Sequence, residues 1–168
     1  MTEGARTTTT ILVLCGLLAA GLVWGWSATT APLPKSAEVA ACEPTTVAAG
    51  EKVYPDQVVV SVLNAGSREG LAGRTMQLLV DEGFVEGRST NAPKRTDVPF
   101  AEVWAEDPRS PAARLVASRL GKNVEVVRPR VVEPGVVVVV GDEFKKLAKG
   151  RKAVAADTET TVCMPPGA

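Results

Sequence analysis

Apolar residues are most concentrated near the start of the chain, where the run Ile11–Trp26 carries no charge over 16 positions. With Thr7–Thr10 and Ser27–Ala28 as flanks, this run reaches the roughly 20 residues that a transmembrane helix needs. Two tryptophans at its far end favour the headgroup layer of a bilayer. We therefore predict a tail over residues 1–10 and a transmembrane helix over residues 11–28.

The orientation of this helix follows from its short N-terminal tail. A tail with a positive group, here Arg6, tends to stay in the cytoplasm, so we expect a single-pass membrane protein with an extracytoplasmic C-terminal part. A cleaved signal peptide is the alternative, with Thr29-Thr30-Ala31 as its cleavage site. The spacing of Gly21 and Gly25 also suits close contact between two such helices, and a purely structural tether or oligomer organiser is therefore another hypothesis.

Beyond the apolar run, residues 29–56 are rich in Ala, Thr and Pro and show no regular hydrophobic period, which predicts a tether. The β-branched segment Gln57–Leu63 is the first predicted strand. A helix is expected next, with Ser67 as its cap and Gly83 as its left-handed stop. Its buried side is formed by apolar residues at helical spacing: Leu71, Ala72, Met76, Leu78, Leu79 and Val80.

A second unit repeats this plan. Ala101–Ala105 is predicted as a strand. Ser110-Pro111 combines a capping hydroxyl with a first-turn proline, which is a strong helix start, and Gly121 ends that helix. Strands follow over residues 123–127 and 136–140, and the second of these is five consecutive valines. Such a run suits a central strand that is covered on both faces.

One more strand over Phe84–Ser89 gives the order β-α-β-β-α-β-β for a domain of residues 57–147. This order predicts an α/β (α+β) fold, a two-layer sandwich of ferredoxin-like type with a mixed sheet and two helices on one face. Residues 148–168 are left as a C-terminal tail. The cations that begin at Lys145 and end at Lys152 suit either an anionic polymer or lipid or, more simply, a solvated face.

Composition narrows the chemistry. Acidic and basic residues balance at 19 each, so no global field would attract nucleic acid. The chain has no histidine, which removes the usual general base and the commonest metal ligand. We expect no metal, no cofactor and no catalytic residue. Cys42 and Cys163 flank the predicted domain and are predicted to form a disulfide on the oxidising side of a membrane. Two unrelated thiols in mobile tails are the alternative.

One turn has features of an anion site. Asn64, Gly66, Ser67 and Arg68 lie where a predicted strand meets a helix start, and free N–H groups at such a point favour a phosphate or carboxylate. The glycine spacing does not match a nucleotide-binding fingerprint. A tight turn that needs glycine for backbone reasons is the alternative interpretation.

An enzyme is the competing functional hypothesis. Glu102, Glu106 and Asp107 lie near the end of a predicted strand, where a carboxylate pair could hydrolyse sugar. A domain of about ninety residues rarely holds the long sugar cleft that this chemistry requires. Solvated charges at a strand end are the simpler interpretation.

Three segments share a recognisable order and spacing: VSVLNAGSREGLAGRTMQLLVDEGF, ARLVASRLG and VVVVVGDEF. Together they resemble the LytR C-terminal domain family of cell-envelope proteins from actinobacteria and other Gram-positive bacteria, and the resemblance spans Gln57–Leu147. In the family the asparagine of the first segment is usually followed directly by glycine, whereas Ala65 stands between Asn64 and Gly66 here.

The resemblance implies a role at the cell wall. Such domains often follow a catalytic module that transfers glycopolymers from lipid carriers to peptidoglycan, and the interval before Gln57 has no room for that module. No catalytic residue is therefore carried over. We expect a non-catalytic, membrane-anchored binding module, accessory to wall glycopolymer assembly, whose partners are the membrane and envelope glycopolymer transferases or wall polymer.

Overall fold

A computed structural model describes residues 3–30, 42–122 and 124–167 of the chain. Two compact units are present, Met1–Ser36 and Ala37–Ala168. The first contains helix α1 (Glu3–Thr30), whose described apolar side chains, such as Leu18 and Leu22, are exposed. Within the described ranges, no helix combines the length and the apolar character needed to cross a membrane. The predicted tether falls partly on residues 31–41, which lie outside the described residues.

The second unit contains all the described strands and two further helices. In chain order the elements are β1 (Glu43–Val47), β2 (Lys52–Val53), a 3-10 turn (Pro55–Gln57), β3 (Val59–Asn64), α2 (Leu71–Asp81), β4 (Val85–Asn91), β5 (Ala101–Trp104), α3 (Pro111–Leu120), β6 (Glu125–Val127), β7 (Val136–Val140), β8 (Val154–Ala155) and β9 (Thr160–Met164). The predicted order β-α-β-β-α-β-β corresponds to β3 through β7. A mixed α+β fold is thus confirmed.

The central sheet has the strand order β4-β3-β7-β5-β6. Two parallel β-α-β units, β3-α2-β4 and β5-α3-β6, lie side by side, and β7 is inserted between them, parallel to β3 and antiparallel to β5. The ferredoxin-like expectation is wrong in this respect. In a ferredoxin-like fold each helix connects two strands that are not neighbours in the sheet, whereas α2 and α3 each connect neighbouring strands here. The fully buried valine run of β7 takes the centre because it is apolar on both faces.

Both α2 and α3 contribute to one cluster of buried residues against the same face of the sheet, which includes Val60, Val62, Val103 and Val138. Alternate strand residues point to the opposite face. There Leu63 and Trp104 form a smaller cluster with two valines of β7 and with Val98. Both helices therefore lie on one face, as the sequence predicts, while loops cover the other.

Three of the four predicted helix ends are confirmed. The Ser110 hydroxyl accepts a hydrogen bond from the Ala113 N–H at 3.2 Å, with Pro111 in the first turn of α3. Gly83 follows α2 with φ +93°, and Gly121 follows α3 with φ +130°. Ser67 does not cap α2, because that helix begins later, at Leu71, directly after Gly70 with φ +69°.

The ends of the folded unit extend beyond the predicted residues 57–147. β1 pairs antiparallel with β9, and β2 pairs antiparallel with β8. The predicted tether of residues 29–56 and tail of residues 148–168 therefore each contain two strands of the domain. Both strand pairs contribute buried side chains to the main core, including Val47 and Val162. Burial of these side chains explains why the segments are ordered despite their short and irregular apolar patterns.

Candidate functional site

Three parallel strands end at one edge of the central sheet. β3 ends at Asn64, β4 at Asn91 and β7 at Val140, and the two outer strands of this group are each in parallel register with β3. In open α/β sheets, ligands bind in the crevice beyond the carboxyl ends of such strands. The predicted anion-binding turn lies here, directly after β3.

The turn after β3 binds a carboxylate of the chain itself. The Ser67 N–H lies 3.0 Å from both carboxylate oxygens of Asp142, and the Ser67 hydroxyl donates to Oδ2 at 2.9 Å. The Arg68 N–H donates to Oδ1 at 3.2 Å, and the Arg68 guanidinium Nε lies 3.6 Å from the same oxygen. We call this arrangement of Asn64–Arg68 around Asp142 the Asp142 clamp.

The clamp shifts the titration of its carboxyl group. The backbone and side-chain hydrogen bonds from Ser67, followed by the N–H and the positive charge of Arg68, hold the pKa of Asp142 below its ordinary value. Desolvation acts in the opposite direction and is outweighed. The cause is the preference of hydrogen-bond donors and a nearby cation for the charged carboxylate.

Asn64 and Gly66 shape the loop that forms the clamp. The Asn64 side chain accepts from the Gly66 N–H at 2.9 Å and donates to the Arg68 carbonyl at 2.8 Å. A Cβ atom at position 66 would lie 2.9 Å from the Asp142 backbone nitrogen, so only glycine fits. All four predicted turn residues therefore belong to the Asp142 clamp, either as donors to its carboxylate or as residues that shape the loop. An external anion in this turn stays a prediction, because the donors here already hold Asp142.

Beside the clamp lies an open polar cleft of about 530 Å³ between residues 64–70 and the loop of residues 91–96. Lys94 and Arg95 are exposed on the loop, and neither forms an ion pair in the described part of the chain. Arg95 has φ +70°, an uncommon conformation for a residue other than glycine. These two cations were not among the predicted site residues. Their signal in the sequence is a pair of neighbouring cations in a loop between two strands.

The strand-end carboxylates of the enzyme hypothesis are partly committed to structural contacts. Glu102 accepts from the indole N–H of buried Trp104 at 2.9 Å, and Asp107 accepts from the Arg109 N–H at 2.9 Å. Glu106 and Asp107 line a second cleft of about 520 Å³. Among the described residues, no group of three or more Cys, Asp and Glu side chains is placed to hold a metal ion.

The predicted disulfide is present. Cys42 and Cys163 are bonded with their Cα atoms 5.1 Å apart and 121 positions apart in sequence. Cys42 directly precedes β1, and Cys163 lies within β9, where it pairs with Pro44. The bridge thus joins the first and last strands of the folded unit. Cys15, in α1, is a free thiol.

Comparisons with known proteins agree with this architecture. The family model described as LytR cell envelope-related transcriptional attenuator matches residues 57–144. The fold is similar to the crystal structure of the soluble domain of a conserved hypothetical secreted protein, the Rv2700 ortholog from Mycobacterium marinum. That match has 22% identity and a TM-score of 0.50, and it covers 66% of this chain and 78% of the other. No curated protein matches the chain.

Proposed function

This chain belongs to the LytR C-terminal domain family, which accounts for just over half of its length, and on that premise we propose that it is a non-catalytic binding module of the cell envelope. The module works outside the cytoplasm and is accessory to the assembly of wall glycopolymer. Its partners in this proposal are wall polymer or the envelope transferases that attach such polymers.

The observation that carries this proposal is the disulfide between Cys42 and Cys163. Disulfides persist in oxidising compartments and are rare in the cytosol. This one joins the first and last strands of the domain, and the strands beside it contribute Val47, Val162 and Met164 to the main core. A bond built into the fold in this way favours an extracytoplasmic protein.

Binding is favoured over catalysis by the use made of the polar groups. The chain has no histidine, and the carboxylates of Glu102 and Asp107 accept hydrogen bonds that fix nearby structure. The cleft beside the Asp142 clamp instead offers Lys94 and Arg95, two cations without an ion-pair partner in the described ranges. Such a cleft suits an anionic polymer or an acidic protein surface.

Helix α1 is proposed as the membrane anchor. The support is the uncharged run Ile11–Trp26 together with the exposure of its described apolar side chains, among them Leu12 and Leu18. Extraction of bacterial membranes at high pH should leave the full chain in the pellet. A reporter fused after Ala168 should be active outside the cytoplasm, and activity only in the cytosol would contradict the proposed location.

The test of function uses the full chain and isolated cell walls with and without their attached glycopolymer. Wild-type protein should sediment with the intact walls and less with the stripped ones. A Lys94→Glu/Arg95→Glu variant should sediment less, whereas a control variant with Lys52→Glu and Arg128→Glu should match the wild type. Crosslinking in living cells should recover envelope transferases or wall material, and recovery of cytoplasmic proteins alone would refute the proposal.

One observation keeps the enzyme alternative testable. Glu106 and Asp107 line the second cleft, at the end of the strand that carries Glu102. If this cleft hydrolyses wall glycopolymer, purified protein must release soluble product from it, and the changes Glu102→Gln or Glu106→Gln must stop the release. We expect no product from the wild type.

A further inference from the structure

A concentrated positive charge lies on the segment Lys145–Lys152, which we call the basic strip. Its eight residues hold five of the 19 cations in the chain and none of its acids. All five cationic residues are exposed, and none forms an ion pair in the part of the chain that the structure describes. Because the whole chain is neutral, this charge is a local feature and not the result of a global excess.

The backbone of the basic strip is fixed on the C-terminal end of α3. Leu147 packs against the main core. The Ala148 N–H donates to the Arg119 carbonyl at 2.6 Å, and the Arg151 N–H donates to the Ser118 hydroxyl at 3.0 Å. These contacts show that the strip is not a loosely attached tail.

The strip is also held at both of its ends. Phe144, directly before it, is 1% exposed, and Val154, shortly after it, is 3% exposed. A Cβ atom at Gly150 would lie 2.9 Å from the Arg119 nitrogen, so the strip approaches α3 closely there. A ligand that binds to exposed cations on such a backbone does not have to order the chain first, which lowers the entropic cost of binding.

Stabilisation of α3 accounts for only part of this charge. Cations near a helix C-terminus interact favourably with the helix dipole, but the effect is confined to the last turn. One or two cations are enough for that purpose. The remaining cations have no ion-pair partner in the described part of the chain, so they are available to an external anion.

We propose that the basic strip binds a linear phosphodiester polymer of the cell wall. Along its eight residues, which belong to no helix or strand and span at most about 29 Å, the strip carries a row of five cations. A row suits the repeating charges of a polymer better than a single phosphate group. This inference rests on the proposed function, since it names a second surface, besides the cleft at Lys94 and Arg95, through which the module would hold wall polymer.

An anionic lipid surface is the competing occupant. Membrane-surface segments usually combine cations with apolar side chains that enter the bilayer. The strip has no exposed large apolar side chain, and outside α1 those of the described residues are elsewhere, at Tyr54, Leu78 and Val132. This composition favours the polymer, although cations alone are also attracted to anionic membranes.

The test measures binding of long-chain inorganic polyphosphate to the full chain in uncharged detergent. The strip variant is Lys145→Gln/Lys149→Gln/Arg151→Gln. The control variant, Lys52→Gln/Arg109→Gln/Arg128→Gln, removes the same charge from other exposed positions. Thermal melting should show that both variants stay folded. At 50 mM salt, the strip variant should lose more than about tenfold in affinity and the control less than about twofold.

Salt dependence gives a second readout. With single-stranded nucleic acid as the guide, five contacts predict a loss of about 100-fold between 50 and 200 mM salt, and the two contacts left in the strip variant predict about sevenfold. Equal losses of polyphosphate affinity in the strip variant and the control variant would overturn the proposal, because binding would then depend only on the total charge of the chain.

The lipid arm repeats the measurement with phosphatidylglycerol added to the micelles. Polyphosphate affinity should change equally in the wild type and the strip variant. A selective loss in the wild type would show that the strip prefers lipid and would overturn the assignment to polymer.

Cell-wall sedimentation separates the two proposals. Failure of the wild type to sediment refutes the proposed function, whereas sedimentation with unchanged polyphosphate binding by the strip variant refutes only the strip.

Discussion

Removal of the disulfide between Cys42 and Cys163 tests how strongly the two ends of the chain support the fold. The cysteines are 121 positions apart. The chain-entropy relation gives about 5 kcal/mol at 25 °C for a loop of this length, as an upper limit from the restricted unfolded state. Because β1 and β9 contribute Val47 and Val162 to the main core, loss of the disulfide that joins these strands should destabilise the whole domain.

The perturbation is the double substitution Cys42→Ser/Cys163→Ser in the full chain, followed by urea unfolding in nonionic detergent. We expect a loss of about 3–5 kcal/mol. With a urea slope of about 2 kcal/mol/M, the unfolding midpoint should fall by about 1.5–2.5 M. Reduced wild-type protein should behave like the variant. Cys15→Ser is the matched control, because that thiol is free and exposed, and it should leave the midpoint unchanged.

A loss below about 1 kcal/mol would refute this reasoning. It would mean that β1 and β9 separate from the rest of the domain before global unfolding, so that the bridge constrains only a local segment. A loss above the entropic limit would also contradict the argument, since it would require the bridge to stabilise the native state directly.

Three further predictions concern single side chains. Asp142→Asn should lower the melting temperature at pH 7, and its difference from wild type should shrink as the pH falls through the lowered pKa of Asp142, because the stabilisation requires the ionised carboxylate. Gly66→Ala should lower the free energy of unfolding in urea by about 1–3 kcal/mol, since its Cβ would lie 2.8 Å from the Asp142 carboxyl carbon. The control Gly73→Ala, whose Cβ meets no neighbour within 4 Å in α2, should raise that free energy by up to about 1 kcal/mol. Glu102→Ala should cost about 1–3 kcal/mol in the same assay by leaving the buried Trp104 indole N–H without its acceptor, and Glu102→Gln should cost less because it keeps an acceptor oxygen.

Each of these has a distinct contradicting result. A constant difference between Asp142→Asn and wild type from pH 7 to pH 3 would show that the carboxylate charge does not stabilise the fold. Equal effects of the two alanine substitutions would show that the loop after β3 adapts to a side chain. Equal losses from both Glu102 variants would place the role of that residue elsewhere.

The sequence predicts those parts of the fold that depend on local patterns. Five consecutive valines placed β7 inside a sheet, and Ser110-Pro111 placed the start of α3, because burial and capping are set by neighbouring residues. The position of β7 between the two β-α-β units was not predicted, since a periodic pattern does not define which strands pair. β1 was missed for a similar reason. Its pairing with β9 joins residues more than a hundred positions apart, and Pro44 and three other exposed residues hide its strand character.

The candidate site shows the same division. The turn from Asn64 to Arg68 was recognised as a place that favours an anion, because backbone donors at a strand end are a local feature. Its partner Asp142 could not be identified, because the contact joins positions 74 and 75 residues apart. Because this partner is not visible in the sequence, Ser67 was predicted to be a helix cap. Its hydroxyl is instead used to hold the carboxylate.

The Asp142 clamp also bears on where a ligand can bind. Two of the segments that carry the family resemblance, around Asn64–Arg68 and Gly141–Phe144, contact each other through Asp142 and through the Arg68 guanidinium, which donates to the Phe144 carbonyl. An external anion in this turn would have to displace a tethered carboxylate, whose effective concentration is high. The segments that identify the family therefore serve the fold. We therefore expect recognition at surfaces whose cations have no ion-pair partner among the described residues, such as the cleft at Lys94 and Arg95 and the basic strip.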